Sequence, residues 1–262
     1  MRDTTGSIPR PAPLGKTAHK ASAGATSKAS ETTLFCIPHA GGSASYYSQF
    51  GSFFPGHVTV HALEAAGRGR RFRDPLATSM ESISSDLFEQ IKPVAGTAPY
   101  ALFGHSMGAL LSLLCVVLAQ ENHIPLPKAL FVSACATPKS FCNKPETPIS
   151  SLPPEELWRH IAEMGGLPEE IAASREFCEY LEPILYADFT ALDNWQPKHI
   201  SPLPVPITVF LGSQDPLTER KGREWKRLTT RDFSMQSFHG NHFYLQEHWS
   251  ALAAQITSQL VT

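Results

Sequence analysis

The chain has 262 residues, of which 42% are hydrophobic and 18% are charged. This length and composition are typical of one large globular domain with a substantial core. The 22 basic and 24 acidic residues give a formal net charge of −2, so charge favours neither a nucleic-acid surface nor a strongly charged membrane face. The longest apolar run, residues 110–119, is too short to cross a bilayer, so we expect no membrane span.

Residues 1–31 differ in composition from the rest of the chain, because small and turn-forming residues dominate and large apolar residues are scarce. Such a segment buries too little surface to offset its chain entropy, so we expect a disordered leader followed by one domain at residues 32–262. The leader lacks the apolar centre of a secretory signal.

The five cysteines include no Cys-x-x-Cys pair, and most lie in apolar runs. Both features favour a reducing, cytoplasmic location.

Six short apolar runs bounded by turn residues predict strands that are buried on both faces. These runs are residues 34–37, 58–63, 100–103, 129–133, 207–211 and 233–238. Amphipathic stretches predict helices between them, at residues 45–53, 80–92, 107–121, 219–228 and 248–260. Strands that alternate with helices in this way predict an α/β fold with a mostly parallel, doubly wound sheet.

Residues from about 138 to 203 interrupt this alternation. The segment begins with a proline-rich stretch and continues through helix-like sequences at residues 155–164, 169–173 and 176–195, with no buried strand among them. A helical insertion between two strands lies at the carboxyl ends of the strands, where ligands bind in open α/β sheets. We therefore expect this insertion to form a lid over the functional site.

Residues 104–108 read Gly-His-Ser-Met-Gly and lie between a predicted strand and a predicted helix. A serine flanked in this way is typical of the nucleophile elbow of α/β-hydrolases, whose sharp turn needs glycine on both sides. The turn exposes the serine hydroxyl at the positive end of the following helix. Ser106 is therefore a candidate nucleophile. The pentapeptide alone also fits an ordinary turn, so the prediction depends on an acid and a base farther along the chain.

The α/β-hydrolase triad follows the chain order serine, acid, histidine. Asp215 lies in the loop after a predicted strand, where an orienting acid belongs, whereas Asp188 and Asp193 lie in the helical insertion. Two histidines, His239 and His242, follow the last predicted strand. We favour His242 because it lies between a glycine turn and an apolar segment that fixes the ring. A zinc site at these histidines is rejected, because the Gly-Asn between them breaks the helix that a zinc motif requires.

An oxyanion hole needs two backbone donors, one from the residue after the nucleophile and one from the loop after an early strand. Met107 supplies the first. The second loop is residues 38–43, Pro-His-Ala-Gly-Gly-Ser, in which the N–H of Ala40 is the natural donor. A phosphate-binding loop is excluded here because no Gly-Lys-Ser/Thr sequence follows.

Six blocks of the chain, in order, resemble type II thioesterases of non-ribosomal peptide and polyketide synthases. The blocks are residues 35–43, 67–71, 103–109, 185–189, 212–215 and 240–245, and the resemblance extends over residues 33–260. The chain departs from the family pattern at Ala66, where the family has proline, at Tyr186, where it has arginine, and at Asn241, where it has an acidic residue. The last two departures bear on the acyl pocket and on the surroundings of the catalytic histidine.

The resemblance implies an α/β-hydrolase fold and an enzyme that releases acyl groups from the phosphopantetheine arm of carrier-protein domains. It implies a carrier domain as partner and no metal or redox cofactor. Two alternatives stay open, a general carboxylesterase or lipase and a non-catalytic carrier-binding protein. Arg68, Arg70 and Arg71 fit either binding of phosphates or of an acidic carrier surface, or a solvated face with local salt bridges. The sequence does not indicate the oligomeric state, and we expect neither a nucleic acid nor a membrane as partner.

Overall fold

A computed structural model describes residues 31–144, 146–165, 174–216 and 219–261. Its six strands form one sheet in the order β2-β1-β3-β4-β5-β6, and every pairing among these strands is parallel. The strands are β1 (Thr32–Ile37), β2 (Val58–Ala62), β3 (Tyr100–His105), β4 (Leu130–Ser133), β5 (Ile207–Gly212) and β6 (Phe233–Phe238). All six predicted strands are therefore confirmed, as is the predicted fold class.

Helices cover both faces of the sheet. The described residues form six α-helices: α1 (Met80–Ala95), α2 (Met107–Glu121), α3 (Pro154–Glu163), α4 (Arg175–Asn194), α5 (Glu219–Arg223) and α6 (Trp249–Leu260). Successive side chains of a strand point to opposite faces, so Phe35 and Ile37 pack with α1 and α2, whereas Leu34 and Cys36 pack with α6. The four central strands are thus largely buried on both faces, which explains why they appear as apolar runs in the sequence. The prediction of burial on both faces is wrong for β2 and β6, because each lies at an edge of the sheet and exposes polar side chains.

The helix predicted at residues 45–53 is wrong in detail, because two short 3₁₀ turns, Ala44–Tyr47 and Phe50–Phe53, take its place. The segment contains three serines and one glycine, which are weaker helix formers than alanine. Its aromatic side chains Tyr47 and Phe50 are instead buried in the core, and their contacts determine the path of the backbone. The Tyr47 hydroxyl donates to the Ile37 carbonyl at 3.1 Å, and the Phe50 ring lies 4.6 Å from the Trp249 ring.

The helix predicted at residues 219–228 is also shorter than expected, since α5 ends at Arg223 and a 3₁₀ turn, Glu224–Leu228, follows. Trp225 lies in this turn, is fully buried, and donates from its ring N–H to the Cys135 carbonyl at 2.8 Å. A tertiary contact of this kind outweighs local helix propensity. Conversely, α1 extends past its predicted end and includes Pro93.

Helices α3 and α4 lie between β4 and β5 in the chain and form the described part of the helical insertion. Leu157, Ile161, Leu185 and Phe189 form its small apolar core, and Ala40 packs against that core. The insertion therefore contacts the loop that follows β1. The helix predicted at residues 169–173 and nearly all of the predicted leader, residues 1–31, lie outside the described residues. Within the described ranges, no helix is both long and apolar enough to cross a membrane.

Candidate active site

Ser106 occupies a sharp turn between β3 and α2. Its backbone angles, φ 54° and ψ −120°, are unusual for a residue other than glycine. The flanking glycines are required by space, because a Cβ on Gly104 would lie 2.1 Å from the Gly108 carbonyl oxygen. A Cβ on Gly108 would lie 2.2 Å from the Ile37 carbonyl oxygen. The turn has the geometry expected for a nucleophile elbow, which holds a serine in a strained and defined position.

The N-terminus of α2 begins directly after this serine. Met107 is the first residue of the helix, so its N–H has no acceptor within the helix and belongs to the positive end of the helix dipole. The N–H of Ser106 itself is bonded to the Ser133 carbonyl at 2.8 Å, which ties the turn to β4. A negative charge that develops beside Ser106 is therefore favoured by the end of the helix.

Asp215 and His242 are brought together from two separate loops. The Nδ1 atom of His242 lies 2.9 Å from Oδ2 of Asp215, and the two side chains are only 10% and 2% exposed. Two backbone hydrogen bonds join the loops: Ser213 N–H to Phe238 O at 2.7 Å, and Gln214 N–H to Gly240 O at 2.9 Å. A carboxylate at Nδ1 fixes the imidazole tautomer, which leaves Nε2 as the proton acceptor.

The competing residues have other contacts. His239 is exposed, and its carbonyl oxygen lies 2.8 Å from Nε2 of His248. Asp193 accepts a hydrogen bond from the Ser150 N–H at 2.7 Å. Asp188 forms a bidentate ion pair with Arg68. The acid that the structure brings to His242 is therefore Asp215.

The loop after β1 lies beside Ser106 and is itself hydrogen-bonded. The Gly41 N–H donates to Oδ2 of Asp188 at 2.7 Å, and the Gly42 N–H donates to the His39 carbonyl at 2.9 Å. Ala40 lines the same cavity as Ser106. Because the N–H groups of both glycines are already engaged, Ala40 is the residue of this loop best placed to offer a donor to a bound oxyanion.

The ion pair between Arg68 and Asp188 has no counterpart in the sequence predictions. The residues are 4% and 1% exposed, with Nη1 to Oδ2 at 2.6 Å and Nη2 to Oδ1 at 2.8 Å. Burial by itself would lower the pKa of Arg68, but the hydrogen bonds and charge of Asp188 outweigh burial and raise that pKa. Residues 67–71 and 185–189 are separate blocks in the sequence. Their side chains are 120 positions apart, so no local sequence pattern predicts that Arg68 and Asp188 form an ion pair.

The other two arginines of residues 67–71 differ in their surroundings. Arg71 forms ion pairs with Asp86, at 2.6 Å, and with Asp74, at 2.8 Å. Arg70 is exposed. The structure thus gives Arg71 local salt bridges, gives Arg68 a long-range ion pair with Asp188, and leaves Arg70 on the surface.

Two further histidines border the site, and sequence reasoning assigned them no role. Burial lowers the pKa of His39 to about 4, and it lowers the pKa of His105 well below its ordinary value. Nδ1 of His105 lies 2.9 Å from Oγ of Ser133, which in turn lies 2.8 Å from the Tyr244 hydroxyl. The His105 ring centroid is 5.2 Å from that of His242. Both histidines are therefore neutral near pH 7 and serve as packing and hydrogen-bonding groups.

A narrow cavity of about 80 Å³ opens onto Ser106 and His242. Its remaining walls are largely apolar and come from the helical insertion, through Ile161, Met164, Leu181, Leu185, Phe189 and Leu192. An apolar pocket with a few convergent polar groups is typical of a site for a small, mainly hydrocarbon ligand. Such a pocket suits an acyl chain whose carbonyl carbon lies at Ser106.

Two of the departures from the family pattern have defined contacts. The Tyr186 hydroxyl donates to the Leu152 carbonyl at 2.7 Å, so it joins α4 to the segment that precedes α3. Asn241 accepts a hydrogen bond from the Phe243 N–H at 2.8 Å and packs against Gly165. Asn241 therefore shapes the turn that carries His242.

The chain is similar to known proteins over most of its length. A family model described as a thioesterase domain matches residues 32–260. Gramicidin S biosynthesis protein GrsT of Aneurinibacillus migulanus is 34% identical over 221 residues, covering 84% of this chain and 85% of GrsT. The crystal structure of ClbQ from the colibactin NRPS/PKS pathway matches with a TM-score of 0.82 and 29% identity, covering 88% of this chain and 97% of ClbQ. The type II thioesterase BorB from the borrelidin biosynthetic cluster matches with a TM-score of 0.79 and 30% identity, covering 87% and 92%.

Proposed function

The chain belongs to the thioesterase family, as a type II thioesterase of non-ribosomal peptide and polyketide pathways, and we propose that Ser106 releases acyl groups from carrier-protein domains. The acyl group is carried as a thioester on the phosphopantetheine arm of the carrier, and its removal frees a blocked synthase. The observation that carries this proposal is the convergence of a strained serine and a histidine–carboxylate pair on one apolar cavity.

In the first half of the proposed reaction, Oγ of Ser106 attacks the thioester carbonyl carbon while its proton passes to Nε2 of His242. Asp215 holds the Nδ1–H and stabilises the imidazolium that forms. The carbonyl oxygen becomes an oxyanion, which the N–H groups of Ala40 and Met107 stabilise. The intermediate then collapses to the acyl-enzyme, and the thiol leaves with the proton from His242.

In the second half, water replaces the thiol as the group that His242 activates. Nε2 of His242 removes a proton from water as the water oxygen attacks the acyl-enzyme carbonyl carbon. The same donors stabilise the second oxyanion. Collapse breaks the bond to Oγ of Ser106, which recovers a proton from His242, and the free acid departs. Protein groups and water are sufficient for both halves.

The test is intact-mass analysis of a carrier protein loaded with a panel of acyl groups, incubated with the enzyme or with its Ser106→Ala variant. We expect the wild-type enzyme to shed acyl groups as free acids and the variant to shed none. His242→Ala should lose turnover as well, whereas His239→Ala, a change at the exposed neighbouring histidine, should retain it. The proposal fails if no acyl group leaves faster with the wild-type enzyme than with Ser106→Ala.

Two comparisons separate the proposal from its alternatives. A carboxylesterase would cleave oxygen esters faster than carrier-bound thioesters of the same acyl group. A non-catalytic carrier-binding protein would leave Ser106 unlabelled by a fluorophosphonate, which reacts with activated serines. We expect faster turnover of the thioester, and labelling that Ser106→Ala abolishes.

A further inference from the structure

Two sequence blocks, residues 67–71 and 185–189, contribute no group to the proposed reaction, yet their buried charges meet beside the nucleophile. Oδ2 of Asp188 accepts from Nη1 of Arg68 at 2.6 Å and from the Gly41 N–H at 2.7 Å. Nη1 of Arg68 also lies 3.4 Å from the Gly42 carbonyl oxygen. One carboxylate on α4 thus joins an arginine to the backbone of the loop that follows β1.

We propose that Asp188, held by Arg68, is a positioning residue that aligns the Ala40 N–H for the oxyanion, so that the helical insertion completes the oxyanion hole. This inference rests on the proposed function, because it names residues that align an oxyanion donor in the same active site. Neither side chain contacts the reacting atoms in this scheme, and both act through the peptide backbone of the loop.

The peptide group between Ala40 and Gly41 is bonded at both ends. Its N–H, which belongs to Gly41, donates to Asp188 at 2.7 Å, and its carbonyl, which belongs to Ala40, accepts from Nδ1 of His39 at 2.9 Å. A peptide group is planar, so two bonds on opposite edges fix its orientation. The orientation of this plane constrains the backbone of Ala40 and therefore the direction of the Ala40 N–H.

The same helix also restricts the loop by packing. Gly41 has φ +76°, and a Cβ at this position would lie 2.5 Å from Cδ2 of Leu185. Leu185 is one turn of α4 before Asp188 and is buried. Gly41 is thus in close contact with α4 and is also bonded to Asp188 on that helix. A shift of α4 would therefore move the loop that carries the oxyanion donor.

A buried ion pair contributes little to the stability of a fold. Removing two charges from water is energetically costly, and apolar side chains of similar volume often stabilise a fold equally well. The geometry of this pair is instead specific, since the bidentate contact fixes the carboxylate plane and leaves one oxygen aimed at Gly41. We attribute the pair to alignment of the loop.

The test uses two uncharged double variants, because removal of one partner alone would leave a buried, uncompensated charge. Arg68→Met with Asp188→Asn keeps an amide oxygen that accepts from the Gly41 N–H. Arg68→Met with Asp188→Ala removes that acceptor. Asp193→Ala is the matched control, because Asp193 is also on α4 but bonds to the Ser150 N–H within the insertion. Circular dichroism and thermal unfolding establish that each variant is folded.

Two readouts separate positioning from a general structural role. The first is kcat and KM for an acyl thioester of N-acetylcysteamine. The second is the inhibition constant of an alkyl trifluoromethyl ketone: Ser106 adds to its carbonyl carbon, the serine proton passes to His242, and the carbonyl oxygen becomes an oxyanion. Such a transition-state analogue depends on the oxyanion hole, whereas KM depends chiefly on binding of the ground state.

We expect the alanine double variant to have a kcat about 100-fold below that of the asparagine double variant, with little change in KM. The affinity for the trifluoromethyl ketone should fall by a similar factor, and Asp193→Ala should resemble the wild type. Equal kcat values for the two double variants would overturn the inference, as would an equal loss in Asp193→Ala. If the wild type lacks Ser106-dependent turnover, the proposed function fails, and the ketone affinities still decide whether Asp188 aligns the donor.

Discussion

At Gly108 the close approach of two backbone segments determines the residue type. The glycine lies on α2 directly beneath the end of β1, and a methyl group there would meet a carbonyl oxygen that cannot move without disturbing the strand. Over-packing of this kind typically costs about 1–3 kcal/mol. The two glycines of the elbow therefore have a structural role that is independent of the chemistry of Ser106.

We predict that Gly108→Ala lowers the free energy of unfolding by about 3 kcal/mol, because its Cβ would lie 2.2 Å from the Ile37 carbonyl oxygen. Gly56→Ala is the matched control, since no heavy atom lies within 4 Å of the position that its Cβ would take. Urea unfolding followed by circular dichroism measures both variants. Equal stability of the two variants would contradict this explanation of the elbow.

At the scale of single residues, local rules led to the candidate residues of the site. Ser106 follows from the glycine spacing, and Asp215 and His242 follow from their positions after strands and from chain order. No such rule predicts that the Gly41 N–H donates to Asp188. Asp188 was considered only as a rival acid, because local sequence does not show that a residue on a distant helix points its carboxylate at a backbone N–H.

Among the elements, helices α3 and α4 determine the size of the cavity. Their apolar side chains form most of its wall and enclose a volume of about 80 Å³. Discrimination by an apolar pocket amounts to about 1–3 kcal/mol for each methylene group. A change in a single wall residue is therefore sufficient to change the preferred chain length.

We predict that Met164→Ala raises the ratio of kcat/KM for an octanoyl thioester to that for an acetyl thioester by about tenfold or more, because the shorter side chain enlarges the cavity. Met164 is half-buried at the end of α3, so the fold should tolerate the change. Met235→Ala on β6, where the methionine packs against Gly222, is the control and should leave the ratio unchanged. An unchanged ratio in Met164→Ala would show that this side chain does not limit chain length.

Helices were predicted well where an apolar face recurs over three turns or more, as in α1, α2, α4 and α6. The prediction failed at residues 45–53, where Tyr47 and Phe50 are held by the core and the backbone forms 3₁₀ turns. Trp225 has the same effect at the end of α5. In both segments the aromatic side chain, and not the helix propensity, determines the local backbone.

For the whole molecule, two histidines beside the active site, His105 buried and His39 half-buried, link stability to pH. The folded-state pKa of His39 is lowered from 6.5 to about 4, so between these values the unfolded chain binds more protons than the folded one. The contribution of His39 to stability is therefore fully present above pH 6.5 and is lost as the pH falls toward 4. The lowered pKa of His105 acts in the same direction.

We predict that the free energy of unfolding decreases on acidification below pH 6.5, by up to about 1.4 kcal/mol per pH unit for each of these histidines. His39→Gln should make this decrease less steep, because the group that binds the proton on unfolding is removed. His123→Asn, at an exposed turn residue with φ 55°, should leave the slope unchanged. Urea titrations across this pH range measure the slopes, and identical slopes for His39→Gln and the wild type would contradict the prediction.

The central strands were the most predictable part of the whole molecule, because parallel strands covered on both faces need continuous apolar sequence and β1, β3, β4 and β5 largely have it. The edge strands β2 and β6 include exposed polar residues instead. The order of the strands was not predicted, since it depends on where each crossover connection returns the chain to the sheet. β1 lies between β2 and β3, so the loop after β1 lies beside the turn after β3. That neighbourhood is what brings Ala40 to Ser106.

The distribution of thiols makes the unmodified chain suitable for spectroscopy. Cys36, Cys115 and Cys135 are buried, and burial raises the pKa of each, which makes them poor nucleophiles toward alkylating dyes. Cys142 is exposed shortly after β4, and Cys178 is half-buried in the first turn of α4. A donor and an acceptor dye on these two sulfurs would place one fluorophore at the start of the insertion and one on α4. Energy transfer between them would then report, without any engineered cysteine, whether α4 stays in place while a carrier protein is bound.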